Sequence, residues 1–253
     1  MTSNFVTFYL IIVLITSPFF QFLPINHDSL KWDDLLLAKM LNQAPIVFLL
    51  GYLISQVKKS KKKDIYSLLI AFLLTCIATE AYHFFIHPDN LFIVIVLNNI
   101  ASYIILSAVF FKKINAIKKV ERKIVFYAIG VSIIVLIGFS FSFFEIYKTY
   151  FSDRLQVFVV LASFIFVAII IAFLCVLVDN PFKRTWYETI IGVLCLLIVD
   201  IYTYSCFFVF NIQPKLLYTY GKVIFSVGIL LIVDGVLRKN LKNKSVENTV
   251  FEG

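Results

Sequence analysis

Charged residues are scarce in this chain. Only 15% of its 253 residues are Asp, Glu, Lys or Arg, whereas a soluble domain carries roughly a quarter. So few charges do not cover a water-facing surface in a chain that is 61% hydrophobic. The apolar residues instead form runs of about 20, the length that spans a hydrocarbon core of about 30 Å. The composition therefore predicts an all-α polytopic membrane bundle.

The chain also lacks the cysteine spacing of metal sites and the features of a cleaved signal peptide. Its four cysteines all fall inside apolar runs, which predicts small packing residues: Cys76, Cys175, Cys195 and Cys206. The first apolar run has neither a basic start nor a small-residue cleavage site, so we interpret it as a retained helix.

Eight apolar runs predict about eight transmembrane helices in a single transmembrane domain, 1–253, with a cytoplasmic tail at 237–253. The predicted spans are 5–23, 36–57, 65–86, 91–111, 124–144, 155–178, 187–210 and 216–237. The connections between them are too short to hold a second domain.

The number of Lys and Arg residues alternates between high and low from one loop to the next. The second, fourth and sixth loops and the tail are basic, with Lys58, Lys59, Lys61, Lys62 and Lys63, then Lys112, Lys113, Lys118, Lys119, Arg122 and Lys123, then Lys183 and Arg184, then Arg238, Lys239, Lys242 and Lys244. The third loop has no Lys or Arg, and the fifth balances Lys148 and Arg154 against Glu145 and Asp153. Cytoplasmic loops carry the basic excess, so both termini are predicted in the cytoplasm. The net charge of +8 lies in these loops, which argues against a nucleic-acid partner.

Polar side chains recur at one depth in the outer half of the bundle. At 1.5 Å per residue, Lys39 and Lys222 lie roughly 5–9 Å in from the outer ends, Glu80 about 9 Å, Asn98 about 11 Å and Asp200 about 15 Å. Ionisable groups at lipid depth are costly and are functional candidates by default. The agreement in depth predicts an outward-opening polar cavity ringed by helices two, three, four, seven and eight.

Purely structural roles are an alternative explanation for these polar side chains. Lys39 and Lys222 are near enough to the interface to extend their ammonium groups into water, and Asn98 and Asn99 are suited to bridging helices. Glu80 with Lys39, or Asp200 with Lys222, would make a structural salt bridge. Asp234 is interpreted as a helix-end ion pair with Arg238, four residues on.

Histidines near Glu80 leave a metal site open. Glu80, His83 and His87 fall at i, i+3 and i+7 on one helical face, a spacing that would suit zinc and a zinc-dependent lipid hydrolase. His87 precedes Pro88 at the membrane boundary, where an interfacial histidine is the simpler explanation. We therefore predict no metal and no cofactor.

Four short segments carry a resemblance to a known family. Lys39-Met40-Leu41 opens the second span, Thr79-Glu80 lies in the third, Gly192 precedes Val199-Asp200 in the seventh, and Tyr220-Gly221-Lys222 lies in the eighth. With the length, helix count and orientation, these segments resemble the YhhN family of eight-helix membrane proteins, which includes lysoplasmalogenases. That family has Lys-Pro-Leu, Gly-Asp, Ser-Asp and Tyr-x-Gln in these places. This chain differs at Glu80, Val199 and Lys222, and Asn98 or Asn99 stands where the family has a histidine.

The resemblance implies hydrolysis of the vinyl-ether bond of a lysoplasmalogen-type lipid by paired carboxylates. Asp200, the deeper carboxyl, would act as acid and Glu80 as base or electrostatic partner. Lys39 and Lys222 would hold the phosphate, and the remaining substrate contacts would come from Asn98, Asn99, Tyr202 and Tyr220. The partner is then a membrane lipid or lysolipid, and the Lys-, Ile- and Phe-rich composition suggests a bacterial inner membrane. The alternative is a non-catalytic protein that binds or senses lipid or transports a small solute.

Overall fold

The chain folds into helices over nearly all the residues that can be described. The computed structural model describes residues 1–18, 32–58, 60, 63–85, 88–114, 121–178, 184–205 and 215–238, and the side chains of 32–40, 42, 80–85, 88–91 and 215–218 are not among them. Over these residues there are eight α-helices and no strand: α1 (Ser3–Thr16), α2 (Trp32–Val57), α3 (Lys63–Phe85), α4 (Pro88–Ile114), α5 (Arg122–Tyr150), α6 (Leu155–Leu177), α7 (Arg184–Tyr204) and α8 (Lys215–Leu237).

Five helices are long and apolar enough to cross a membrane. These segments are Phe92–Ile114, Arg122–Tyr150, Leu155–Leu177, Arg184–Tyr204 and Thr219–Leu237. Two shorter apolar helical segments, Ser3–Thr16 and Gln43–Val57, accompany them in the described part of the chain. The prediction of an all-helical integral membrane protein is confirmed.

The predicted span 124–144 ends too early. Helix α5 continues to Tyr150, so Glu145 and Lys148, which we assigned to the fifth loop, lie in its last turns. The apolar run ends near residue 144, but helical hydrogen bonding does not require apolar side chains and continues into the polar interface. The amide N–H of Phe151 still bonds to the carbonyl oxygen of Tyr147.

Seven of the eight helices form a closed ring. Contacts run from α1 to α2, α3, α4, α6, α7 and α8, and α8 contacts α1 again. Helix α5 lies outside this ring and packs against α6 and α7. The ring therefore has an interior that side chains of seven helices can face.

Polar contacts gather helix starts and helix ends at one end of the bundle, which we call the basic end. The Lys112 ammonium at the end of α4 lies 3.0 Å from the Asp64 carboxylate at the start of α3. The Lys113 ammonium donates to the carbonyl oxygen of Gly235, near the end of α8, at 3.3 Å. Helices α3 and α4 are thus antiparallel, whereas α4 and α8 both end at the basic end.

The prediction of an Asp234–Arg238 ion pair is confirmed at this end. The two side chains pair across one turn of α8, and the amino group of Met1 also lies 2.9 Å from the Asp234 carboxylate. Arg238 further contacts Glu188 at 3.2 Å, and Glu188 pairs with Arg184 at 2.7 Å. The network holds the starts of α1 and α7 against the end of α8.

Above the basic end the ring is filled by tightly packed apolar side chains, which we call the apolar plug. They are fully buried and come from α2, α3, α4 and α8: Leu49, Leu53, Leu69, Phe72, Leu73, Leu106, Val109, Phe110, Ile229 and Val233. This packing closes the bundle toward the basic end.

Glycines let α7 and α8 approach closely. A Cβ at Gly192 would lie 2.7 Å from the carbonyl oxygen of Gly228, and a Cβ at Gly235 would lie 2.4 Å from Thr189 Oγ1. Gly228 and Gly235 both face α7, so this side of α8 is a helix-packing surface.

Candidate functional site

A buried tyrosine and an aspartate join α4 to α7 inside the ring. The hydroxyl of Tyr103 donates a hydrogen bond to Oδ2 of Asp200. Tyr103 is buried, and its ring packs against Phe164 of α6 with centroids 5.6 Å apart. The phenol is thus fixed by packing, and it orients the carboxyl group in turn.

A second hydrogen bond joins the same two helices one turn away. Asn99 Nδ2 donates to the hydroxyl of Tyr204 at 3.1 Å. Residues 99 and 103 are one turn apart on α4, and residues 204 and 200 are one turn apart on α7 in the opposite direction. The two bonds therefore fix an antiparallel register that keeps Asp200 opposite Tyr103.

Amide and hydroxyl groups also join α3 to α4. Asn98 Nδ2 donates to Thr79 Oγ1 at 2.7 Å and to the carbonyl oxygen of Thr75 at 2.9 Å. Ser102, one turn on, donates to Thr75 Oγ1 at 2.7 Å. The amide of Asn98 is therefore used within the protein, as in the helix-bridging explanation.

Cys76 of α3 lies within electrostatic reach of Asp200 of α7 and Lys222 of α8. The Lys222 ammonium lies 5.5 Å from the centre of the Phe225 ring. One turn further along α8, the carbonyl oxygen of Ser226 accepts a hydrogen bond from the hydroxyl of Tyr9 at 2.9 Å, which brings α1 to the same interior.

We call the cluster of polar groups that these helices bring together the polar chamber: Cys76, Asn99, Tyr103, Asp200 and Lys222. As whole residues, Asp200 and Lys222 are half-buried between neighbouring helices. Because the apolar plug closes the bundle toward the basic end, the polar chamber is closed at that end.

The predicted site residues fall into three groups. Asp200, Lys222 and Asn99 meet in the polar chamber, with Asn98 beside them on α4. Tyr220 is 56% exposed and is not brought into this cluster. Tyr202 is half-buried and, two residues after Asp200, projects about 200° around α7 from it.

The third group lies outside the described side chains. Lys39 is in α2 and Glu80 is in α3, one turn after Cys76, but neither side chain is described. The predicted salt bridge between them and the distance from Glu80 to Asp200 fall outside the described residues. So do the metal-site residues His83 and His87. Among the described residues, no group of three or more His, Cys, Asp or Glu side chains is arranged to hold a metal ion.

Sequence reasoning missed four interior groups: Tyr9, Gln43, Tyr103 and Tyr204. Tyrosines are expected in the interfacial belt, and Tyr202 and Tyr220 alone among them were predicted as site residues. Tyr103 gives one available signal, since it lies near the middle of its span, one turn from Asn99. A polar aromatic at that depth needs a buried hydrogen-bond partner.

A second concavity lies on the outside of the bundle, between α5 and α6. It has a volume of about 290 Å³ and is lined mainly by aliphatic side chains such as Ile133, Leu136 and Ile170. It is remote from the polar chamber and offers no charged group.

Comparison with known proteins does not assign this chain to a family. No protein-family model matches this chain, and no curated protein or solved structure matches it either.

Proposed function

We propose that this protein is a membrane-embedded hydrolase resembling lysoplasmalogenase, which cleaves the vinyl-ether bond of a lysoplasmalogen-type lipid in the polar chamber. The observation that supports this most is the carboxyl group of Asp200, which lies among the helices of the ring and accepts a hydrogen bond from Tyr103.

The first step of the reaction is protonation of a carbon atom of the vinyl ether. Asp200 donates its proton to the outer carbon of the vinyl ether, and the π electrons form the new C–H bond and leave an oxocarbenium ion. Water then adds to the carbon bonded to oxygen and loses a proton to a base, for which we propose Glu80. As the resulting hemiacetal breaks its bond to the glycerol oxygen, that oxygen takes the proton that Glu80 holds, and the hemiacetal hydroxyl gives its proton to the Asp200 carboxylate. The products are a fatty aldehyde and a glycerophospho head group, and both carboxyl groups return to their starting states.

The remaining groups of the polar chamber fit supporting roles. The Asp200 carboxylate left after proton transfer lies beside the oxocarbenium ion and stabilises it. Lys222 offers a cation for the lipid phosphate, together with Lys39. The hydrogen bond from Tyr103 keeps the Asp200 carboxyl group in one orientation, so Tyr103 is a positioning residue.

The packing of the bundle argues against an open pore for solutes. An open pore requires a continuous polar path through the bundle, whereas fully buried leucines such as Leu49, Leu69 and Leu106 fill the ring toward the basic end. A binding or sensing protein would use the same chamber without turnover, and the hydrolysis assay separates the two.

The membrane arrangement belongs to this proposal. All eight helices cross the membrane, with both termini and the basic end in the cytoplasm of a bacterial inner membrane. The ion pairs that join α1, α7 and α8 at one end of the bundle support this arrangement, and so does the basic excess of the loops at that end.

The test is aldehyde release from a lysoplasmalogen by purified protein in detergent. Wild-type protein should release aldehyde, and Asp200→Asn should not, because an amide cannot donate an acidic proton. Folded wild-type protein that leaves the vinyl ether intact would support the binding function instead.

A further inference from the structure

The carboxamide of Gln43 is buried and has no partner. Its side chain is only 7% exposed, and neither Nε2 nor Oε1 has a hydrogen-bond partner among the residues that the structure describes. Buried polar side chains are nearly always paired in native proteins. Leaving both ends of an amide unpaired is costly, so an unpaired amide indicates a missing hydrogen-bonding group.

Gln43 faces the interior of the ring. It lies on the same face of α2 as Ile46, Leu49 and Leu53, all fully buried, because residues three or four apart share one side of a helix. Helix α2 contacts α1, α3 and α8, which are helices that also bring Tyr9, Cys76 and Lys222 to the interior.

Contacts of α1 show how far Gln43 lies from the basic end along the axis of the bundle. Phe5 stacks on Phe48 of α2 with ring centroids 4.9 Å apart, and one turn further from the basic end Tyr9 meets Ser226. Gln43 lies about 7.5 Å beyond Phe48 in the same direction, at 1.5 Å per residue. It is therefore near the level of Ser226, about one turn below Lys222, where the apolar plug ends and the polar chamber begins.

The two unpaired atoms define the chemistry of the occupant. Oε1 needs a donor and Nε2 needs an acceptor. A phosphate oxygen or a carboxylate supplies acceptors alone, and an ammonium group supplies donors alone. A hydroxyl group supplies both at once and satisfies the whole carboxamide.

We propose that Gln43 binds the free hydroxyl on the middle carbon of the glycerol unit of a lysolipid. This inference rests on the proposed function, since it deepens the same site. Only a few bonds, through one glycerol carbon and the ether oxygen, separate this hydroxyl from the vinyl-ether carbon that Asp200 protonates, so Gln43 at the chamber floor and Asp200 above it hold two nearby groups of the same lipid. Gln43 is a specificity residue: it selects lipids with one chain over lipids in which this hydroxyl is esterified.

The experiment measures binding, which does not depend on turnover. The probes are a saturated alkyl-ether lysolipid, which has no vinyl ether to cleave, and its analogue with hydrogen in place of the middle hydroxyl. Each is titrated into the purified full-length protein in a non-ionic detergent. The variants are Gln43→Met, which keeps the length of the side chain and removes its polarity, and Gln56→Met as the matched control. Gln56 lies on the same helix near its basic end, where its amide makes one long contact to Ser55 at 3.5 Å.

Wild-type protein and Gln56→Met should bind the hydroxyl-bearing probe about tenfold to a hundredfold more tightly than the deoxy probe. Gln43→Met should bind the two probes within a few-fold of each other. Retention of the wild-type preference by Gln43→Met would overturn the inference.

Equal binding of both probes by wild-type protein, or binding of neither, would also overturn the inference. Equal binding would leave a water molecule as the partner of Gln43. Because this comparison uses wild-type protein, it decides the matter even if Gln43→Met fails to fold. Hydrolysis is scored separately on a vinyl-ether lysolipid. A clear probe preference without aldehyde release would refute the proposed hydrolase alone, and aldehyde release without a preference would refute the role of Gln43 alone.

Discussion

The close contact of α7 with α8 at Gly192 predicts a sharp sensitivity to one added methyl group. A Cβ at this position would lie 2.7 Å from the carbonyl oxygen of Gly228 and 2.9 Å from the backbone nitrogen of Ile232. Backbone atoms cannot rotate away as a side chain does, so the helices themselves must move. Restoring an ordinary contact of 3.4 Å requires them to separate by about 0.7 Å at this point.

Separation of these helices loses packing along their interface, and in a membrane such packing is a main source of helix association. Overpacking of this kind costs about 1–3 kcal/mol. At roughly 2–4 °C per kcal/mol for a chain of this size, Gly192→Ala should lower the melting temperature by about 2–12 °C. The matched control is Gly130→Ala in α5, where an added Cβ meets nothing within 4 Å. It should leave the melting temperature unchanged or raise it slightly, because alanine favours a helix over glycine.

The assay is thermal unfolding of both variants in the same detergent, followed by the helical circular dichroism signal. Equal melting temperatures for Gly192→Ala and Gly130→Ala would refute the close packing of α7 on α8.

Three further predictions concern the chamber and the membrane arrangement. Tyr103→Phe keeps the ring packing on Phe164 but removes the hydrogen bond to Asp200. It should lower kcat for vinyl-ether hydrolysis about tenfold to a hundredfold with KM nearly unchanged, whereas a change in KM alone would contradict a positioning role. Asn98→Leu removes two hydrogen bonds to α3 and should cost about 1 kcal/mol at about 0.6 kcal/mol per bond in a membrane protein; a melting temperature equal to that of wild type would contradict this. A fluorescent reporter fused after Gly253 should fluoresce in the cytoplasm of a bacterial host, and activity of a periplasmic phosphatase fused there would show the opposite orientation.

Hydropathy predicted the helices well because each apolar run must satisfy its backbone hydrogen bonds internally in lipid. The observed helices begin within a few residues of the predicted spans, and helix ends extend into the interface, as α5 does as far as Tyr150. The sequence does not show which helices are neighbours. The position of α5 outside the ring and the contact of α1 with α8 depend on packing, for which neighbouring apolar helices give no distinct pattern.

The site was predicted only in part. Asp200 and Lys222 were predicted from their depth within the predicted spans, because a charged residue in a long apolar run is conspicuous. The partner of Asp200 was not predicted, because Tyr103 is one of 13 tyrosines and becomes distinctive only through the register that also pairs Asn99 with Tyr204. Gln43 was overlooked because an uncharged amide within an apolar helix gives little signal until its burial is known.

Aldehyde release from a vinyl-ether lysolipid by wild-type protein and by Asp200→Asn tests the central claim most directly. The account predicts turnover by the wild type and its loss in the variant, with the melting temperature and lysolipid binding of the variant close to those of the wild type. An Asp200→Asn protein that hydrolyses the vinyl ether at the wild-type rate would contradict it.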